Sequence, residues 1–274
     1  MKITVLLIGK NSFIAKNIYK KLKKKLDITN LNFEIVKKKK IIFFKKFQFI
    51  INCSINTNYI KKNYKKKNDF DLLLAKKIQF TNCKYIFLST RKVYKPKFNI
   101  TEVTKTRPMN QYGKNKLLSE NKLKNILCER LLVLRISNII GLKEHNTRRV
   151  HTTFLDYFHN NIKNNNIIFY KKSYKDFLSI NQFVHIIFLL IKKNAYGIFN
   201  VSLGRKVYLR NIVRWLNFYN KKKINYIQVN KYKDMNLDSF TLNNNKLKKN
   251  INCKILMNDL KKYCLNISKT FFIK

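Results

Sequence analysis

Glycine, alanine and proline are almost missing from this chain, with 5, 3 and 2 residues among 274. All three have GC-rich codons. The residues in excess, Lys, Asn, Ile, Phe and Tyr, have AT-rich codons, so a genome drifting towards A and T yields this composition without selection for binding. Acidic residues are also scarce: 13 Asp and Glu stand against 60 Lys and Arg, for a formal charge of +47. Such a charge suits an anionic partner, either nucleic acid or a membrane surface. The lysines, however, are spread along the whole chain and are not gathered in one tail or helix face, so drift accounts for them and nucleic acid is not the expected partner. Cysteines at C-x-x-C spacing are absent. The five present, Cys53, Cys83, Cys128, Cys253 and Cys264, are odd in number, which argues against a zinc site or a disulfide framework. Long hydrophobic runs are missing too. Ile186–Ile191 is far too short to span a bilayer, and Ile3–Ile8 has no cleavage-site pattern after it. A reduced, cytoplasmic, metal-free protein is the expectation.

Hydrophobic residues make up 45% of the chain, enough to bury the core of one large α/β domain with a small appendage. Residues 3–8 form a continuous apolar run ending at Gly9, as a central parallel strand buried on both faces would. Ser12–Leu26 has apolar residues near helical spacing. Phe33–Val36, Phe47–Cys53, Tyr85–Leu88 and Leu131–Ile136 read as further strands, and Leu72–Ile78 and Asn110–Leu127 as helices. This alternation predicts βαβ units around a parallel sheet, and no internal repeat interrupts it. Past residue 145 the pattern loosens into short mixed elements at Tyr174–Ile180, Phe183–Ile191, Gly197–Val201 and Leu209–Tyr219. The Lys- and Asn-rich stretch after 220 reads as partly disordered. The expectation is a Rossmann-type, doubly wound parallel sheet over residues 1–145 and a small mixed substrate lobe with the tail over 146–274.

Two short segments carry chemistry. In Gly9-Lys-Asn-Ser12-Phe-Ile-Ala15 a strand, a glycine turn and a helix start combine, and the positive end of the helix dipole there suits a pyrophosphate. In Tyr112-Gly-Lys-Asn-Lys116 the two outer residues share one helix face. An ammonium beside a phenol favours the phenolate, so the tyrosine can act as acid or base. Spacing alone means little among 51 lysines, since Tyr19 and Lys23 match it too. The context gives it weight: Tyr85–Leu88 is an apolar strand running into Ser89-Thr90, and the carboxyl edge of such a sheet is where ligands bind.

In order along residues 1–215 the chain resembles the extended short-chain dehydrogenase family of nucleotide-sugar epimerases, dehydratases and 4-ketoreductases. The segments that carry the resemblance are Gly9–Ala15, Phe49-Ile-Ile-Asn-Cys-Ser54, Leu88-Ser-Thr-Arg-Lys-Val-Tyr94, Pro108–Glu120, Leu134–Gly141, Lys175-Asp-Phe and Gly197–Val201. The resemblance implies that Thr90, Tyr112 and Lys116 are catalytic, with Lys116 also holding the cofactor ribose. It implies that Gly9, Asn11, Ser12, Phe13, Ile14 and Ala15 line a bound NAD or NADP, and that Ser89, Asn138 and Lys175 meet a nucleotide-sugar substrate. A homodimer and a place in surface-polysaccharide precursor synthesis go with it. Ser12 stands where the family has glycine. Lys37–Lys40 follow the presumed second strand where the family often has an acid, which leans towards NADP through Lys37. Asn181-Gln182 replace an acidic pair, and Lys175 replaces an arginine fork by a point charge. The short linker before Phe47 and the Ser89-Thr90 pair lean towards 4-ketoreductases resembling dTDP-4-dehydrorhamnose reductase. The rival reading is a degenerate, non-catalytic member that binds RNA or another anion.

Overall fold

Val5 to Ile8 are wholly buried, and their side chains alternate between two separate cores. That is the signature of a strand covered on both faces, and it organises the rest of the computed structural model, which describes residues 2–142, 153–162, 166–169, 173–221, 225–228 and 239–273. In chain order, β1 (Thr4–Ile8) leads through α1 (Phe13–Leu22) to β2 (Asp27–Leu31). Two short helices, α2 (Phe33–Val36) and α3 (Ile41–Lys45), then precede β3 (Phe49–Asn52). The helices α4 (Thr57–Lys61) and α5 (Phe70–Ile78) lead to β4 (Lys84–Thr90), and α6 (Gln111–Leu127) leads to β5 (Leu131–Ile136).

Beyond β5 come β6 (Asn138–Ile140), α7 (Phe154–Ile162), β7 (Asn166–Phe169), β8 (Tyr174–Lys175), β9 (Phe177–Ser179), α8 (Ile180–Lys192) and β10 (Gly197–Val201). The chain continues with β11 (Val207–Tyr208), α9 (Leu209–Leu216), β12 (Asn225–Gln228), α10 (Asn245–Ile251) and α11 (Met257–Phe272). Six strands form one sheet in the order β10-β5-β4-β3-β1-β2, and every pairing in it is parallel. One face packs under α1, α8, α9 and α11, the other under α3, α5 and α6. The doubly wound sheet read from the sequence is therefore the fold, with three two-stranded pairings, β6–β9, β8–β11 and β7–β12, making up the mixed part. The expected boundary at 145 lies outside the described residues, and the sixth strand of the sheet, β10, comes from beyond it.

Two readings are corrected here. Phe33–Val36 is a single helical turn, because Asn32 starts a helix and Phe33 and Val36 then fall on its buried side. The second strand is Asp27–Leu31. It was not visible as an apolar run because it is the sheet edge, where half-buried Thr29 and Asn30 suffice. The stretch after 220 is also more ordered than expected. Its residues 222–224 and 229–238 lie outside the described residues, but α10 and α11 bury Leu247, Ile251, Leu260, Cys264 and Ile267 in the main core. The five thiols are all free. Among the described residues no helix is long and apolar enough to cross a membrane, and no group of side chains could hold a metal ion.

Asp176 fastens the C-terminal segments to the sheet. Its Oδ1 accepts from the Leu203 N–H at 2.8 Å, and its Oδ2 accepts from Gly204 at 3.1 Å and Leu242 at 3.2 Å. Burial pushes its carboxyl up to about 7, against the pull of these donors. The folded chain thus keeps this proton up to about pH 7, whereas the unfolded chain loses it near the ordinary 3.8, so stability falls as pH rises through that window and is level above it. Asp176→Asn offers the three donors one acceptor oxygen in place of two and should cost about 1–3 kcal/mol. In urea melts from pH 5 to 8, the native chain should lose about 2 kcal/mol relative to this variant between pH 5 and 7. A constant difference across that range would refute the shift.

Candidate active site

The chain reverses direction across the sheet between β1 and β3, and a crevice opens there at the carboxyl ends of the strands, where ligands bind in such folds. Gly9 ends β1 with φ +102°. Its N–H donates to the Leu31 carbonyl at 2.8 Å, and a Cβ added to it would lie 2.8 Å from Ser54 Oγ and 3.0 Å from the Cys53 carbonyl carbon. Only glycine fits this turn. Ser12 is the N-cap of α1, and its Oγ accepts the Ala15 N–H at 3.1 Å. The serine that replaces a glycine therefore turns towards its own helix. Phe13 and Ile14 open the helix at its positive end, and no acid sits in its first turn. Asn11 is exposed at the mouth. This cradle fits a dinucleotide pyrophosphate: a tight glycine turn, a capped ten-residue helix and no opposing charge.

Lys37 does not belong to that cradle. It caps the C-terminus of α2, a helical turn beyond the end of β2, and forms an exposed ion pair with Glu34. The residue at the tip of β2 is Asn32, and Lys37 follows it by five residues.

Tyr112 and Lys116 stand one turn apart on α6, which starts at Asn110, whose side chain accepts the Gly113 N–H at 2.8 Å. A Cβ on Gly113 would lie 2.2 Å from the Lys92 carbonyl oxygen. The glycine after Tyr112 thus lets the helix press against the turn Arg91–Val93 that follows Thr90, and so brings the end of β4 and the first turn of α6 together. Thr90 is buried, and its Oγ1 accepts from the Lys92 N–H at 3.2 Å, which leaves the hydroxyl proton to donate. Lys116 is buried as well. Its Nζ lies 4.3 Å from the centre of the Phe87 ring, 5.6 Å from that of Tyr59, and 3.6 Å from Asp71 Oδ2.

The electrostatics differ from the sequence reading in one respect. The ammonium of Lys116 does favour the Tyr112 phenolate, but burial outweighs it and Asp71 adds to the burial, so the phenol is held above its ordinary value and protonated. Burial works against the Lys116 ammonium, yet Asp71, Tyr112 and Asp69 together hold its proton more tightly than in a free lysine.

Ser89, expected at the substrate, points elsewhere. It is 3% exposed, and its hydroxyl donates to Glu120. Glu120 in turn is gripped by Arg135, Nη2 to Oε2 at 2.6 Å with Nε 3.2 Å from both oxygens. Arg135 Nη1 donates to the Tyr94 hydroxyl at 2.6 Å, and Tyr94 donates to Asn200 on β10. Asn138 lies just past the end of β5, and its buried Nδ2 has no hydrogen-bond partner among the described residues. Lys175 is half-buried on β8, opposite Val207. Gln182 completes a capping box with Ser179, so the Asn181-Gln182 pair serves the start of α8. Sequence reading passed over Asp71 and its partners Asn52 and Tyr85. The signal was available: two carboxylates, Asp69 and Asp71, open a helix in a chain that has very few.

A profile of the NAD dependent epimerase/dehydratase family matches residues 5–202. The chain belongs to that family. No curated protein matches it by sequence. Solved structures similar to it include a UDP-N-acetylglucosamine 4-epimerase from Methanobrevibacter ruminantium in complex with UDP-N-acetylmuramic acid, at a TM-score of 0.82 and 17% identity over 99% of both chains. A dTDP-4-dehydrorhamnose reductase from Clostridium acetobutylicum aligns at TM-score 0.74 and 17% identity, over 95% of this chain and 98% of the other. A dTDP-glucose 4,6-dehydratase from Bacillus anthracis in complex with NAD aligns at 0.73 and 16%, over 98% and 96%. An epimerase, a reductase and a dehydratase thus share this fold, and the likeness does not single out the 4-ketoreductases.

Lys37→Ala should leave binding of both NADH and NADPH within about twofold of native, as for an exposed substitution away from the site. Fluorescence titration with each cofactor checks this, and a selective loss of NADPH affinity would return Lys37 to the cradle.

Proposed function

We propose that this chain is a NAD(P)-dependent oxidoreductase or epimerase that acts on a sugar carbon of a nucleotide sugar, in the synthesis of a surface-polysaccharide precursor. The observation that carries the proposal is the convergence of Thr90, Tyr112 and Lys116 at the carboxyl edge of the sheet, beside a glycine cradle that admits no side chain. Gly9, Ser12, Phe13 and Ile14 would hold the dinucleotide, which supplies hydride exchange at the sugar carbon when bound. Thr90 donates its hydroxyl to the oxygen on that carbon. Tyr112 gives that oxygen a proton in the reducing direction and takes one in the oxidising direction. Lys116 keeps a positive charge beside the phenol and reaches for the ribose. Asn138 brings an amide nitrogen unpartnered among the described residues to the substrate side, and Lys175 a cation for its diphosphate. The similar solved structures carry UDP- and dTDP-linked names, which is the support for a nucleotide-linked sugar.

The reading as a non-catalytic anion binder has less support. Ser12 caps its helix without obstructing the glycine turn, and Thr90 at the end of β4 adjoins the turn against which the start of α6, with Tyr112, is pressed. The test is Tyr112→Phe assayed with NADH and NADPH on a panel of UDP- and dTDP-sugars and their 4-ketones. Turnover should fall about 10²- to 10⁴-fold while cofactor binding is kept. Undiminished turnover would sink the mechanism, and salt-sensitive RNA binding without any cofactor binding would favour the rival.

A further inference from the structure

Beneath the reacting face lies a buried acid that the proposed chemistry does not use. Asp71 stands in the first turn of α5, and its side chain is 8% exposed. Its Oδ1 accepts from Asn52 Nδ2 and from the Tyr85 hydroxyl, each at 2.8 Å, and its Oδ2 faces the Lys116 ammonium at 3.6 Å. Burial pushes its carboxyl up and Asp69 adds to that, while the Lys116 ammonium and the Asn52 and Tyr85 donors hold it down. Every one of these partners is a donor, which a carboxylate, an acceptor only, satisfies. The titratable groups facing it are Lys116 and Tyr112 from α6, Asp69 from α5, Tyr85 from β4, Tyr59 from α4 and Cys53 after β3. Burial raises Tyr59, Tyr85 and Cys53, so all three are neutral at ordinary pH. Asp69 is occupied at the N-cap of α5, where Ser119 and Tyr64 also donate to it. The charges that act on Tyr112 are therefore chiefly those of Lys116 and Asp71, with the Lys92 ammonium 5.9 Å from the centre of its ring.

We propose that Asp71 is a positioning residue for Lys116, which shares that ammonium between its own carboxylate and the Tyr112 phenol and so sets the pH at which Tyr112 exchanges its proton. This rests on the role given to Tyr112 above. With Asp71 in place, Lys116 is largely neutralised as a source of field, and Tyr112 stays in its acid form, ready to donate. With Asp71 uncharged, the same ammonium acts on the phenol alone. Such a tie is worth keeping in a lysine-rich chain, because burial and one fixed counter-ion make the local field independent of the many exposed charges, which salt screens.

Asp71→Asn keeps the shape and removes the charge, and Tyr85→Phe removes one of the two hydrogen bonds that stabilise it. The tyrosinate absorbance of cofactor-free protein is titrated in the native, D71N and Y85F backgrounds, each minus its counterpart carrying Y112F. Tyr112 should titrate about one pH unit lower in D71N and lower by a smaller step in Y85F. The alkaline limb of the pH profile of turnover in the reducing direction should move down by the same amounts. If D71N does not fold, Y85F decides alone. A Tyr112 titration that is unchanged or raised in the variants that fold overturns the proposal, even where the melting temperature falls, because a merely structural role would lower stability and leave the titration where it was. Native-like turnover by Y112F would defeat the role of Tyr112 in catalysis and leave the titration result standing, so the two failures are distinct.

Discussion

The buried ion pair between Glu120 and Arg135 is the interaction on which the catalytic face depends. Glu120 comes from the middle of α6 and Arg135 from β5. The guanidinium takes the carboxylate through two nitrogens, and the remaining acceptor capacity goes to the Ser89 hydroxyl on β4. From Arg135 the chain of donors runs through Tyr94 to Asn200 on β10. Four elements of the sheet layer are thereby held in one register along an axis that also fixes the rotation of α6. Desolvating two charges makes such a pair a poor source of net stability, but losing either partner alone strands a buried charge at a cost of about 3–5 kcal/mol. The pair therefore does little to make the fold stable and much to make its geometry unique. Tyr112 and Lys116 lie two turns and one turn N-terminal to Glu120 on the same helix, so their aim is inherited from it.

Much of this was legible in the chain itself, and the parts that were not have physical causes. β1, β4 and β5 read correctly because central parallel strands are buried on both faces and carry long apolar runs. α6 read correctly because its N-cap Asn110 and its Tyr112-Gly113 step are local features. β2 did not read, because an edge strand needs only part of its surface buried and Asp27-Ile-Thr-Asn-Leu31 carries three polar residues to two apolar ones. That error moved the supposed ribose-reading position on to Lys37, whose nearest charge is Glu34 one turn back. Ser89 and Thr90 are adjacent in sequence and yet face opposite ways, as strand alternation requires. The Ser89 hydroxyl serves Glu120 on α6, and the Thr90 hydroxyl oxygen accepts from the Lys92 N–H. A motif names both and cannot say which turns inward.

Asp71 shows why spacing alone could not complete the site. It lies more than forty residues before Tyr112, and its two donors come from the ends of two other segments, Asn52 on β3 and Tyr85 on β4. In the sequence Asp69 and Asp71 look like an ordinary acidic helix start, favourable to the dipole and nothing more. Only the parallel sheet, with β3 and β4 side by side under α5 and α6, brings the three together.

The net charge of +47 takes on a different meaning once the acids are located. Exposed lysines in high dielectric interact weakly, and their ion pairs contribute little, so surface positions can drift towards lysine at small cost. Interior acids have no such freedom. Asp69, Asp71, Glu120 and Asp176 are all buried, and each satisfies donors that would otherwise be stranded. These four carboxylates are therefore fixed by the networks they complete, whereas exposed ones such as Asp27, Glu34 and Asp259 are not. An acid that persists against such a background is a better marker of a fixed role than any lysine, and two of the four stand beneath Tyr112.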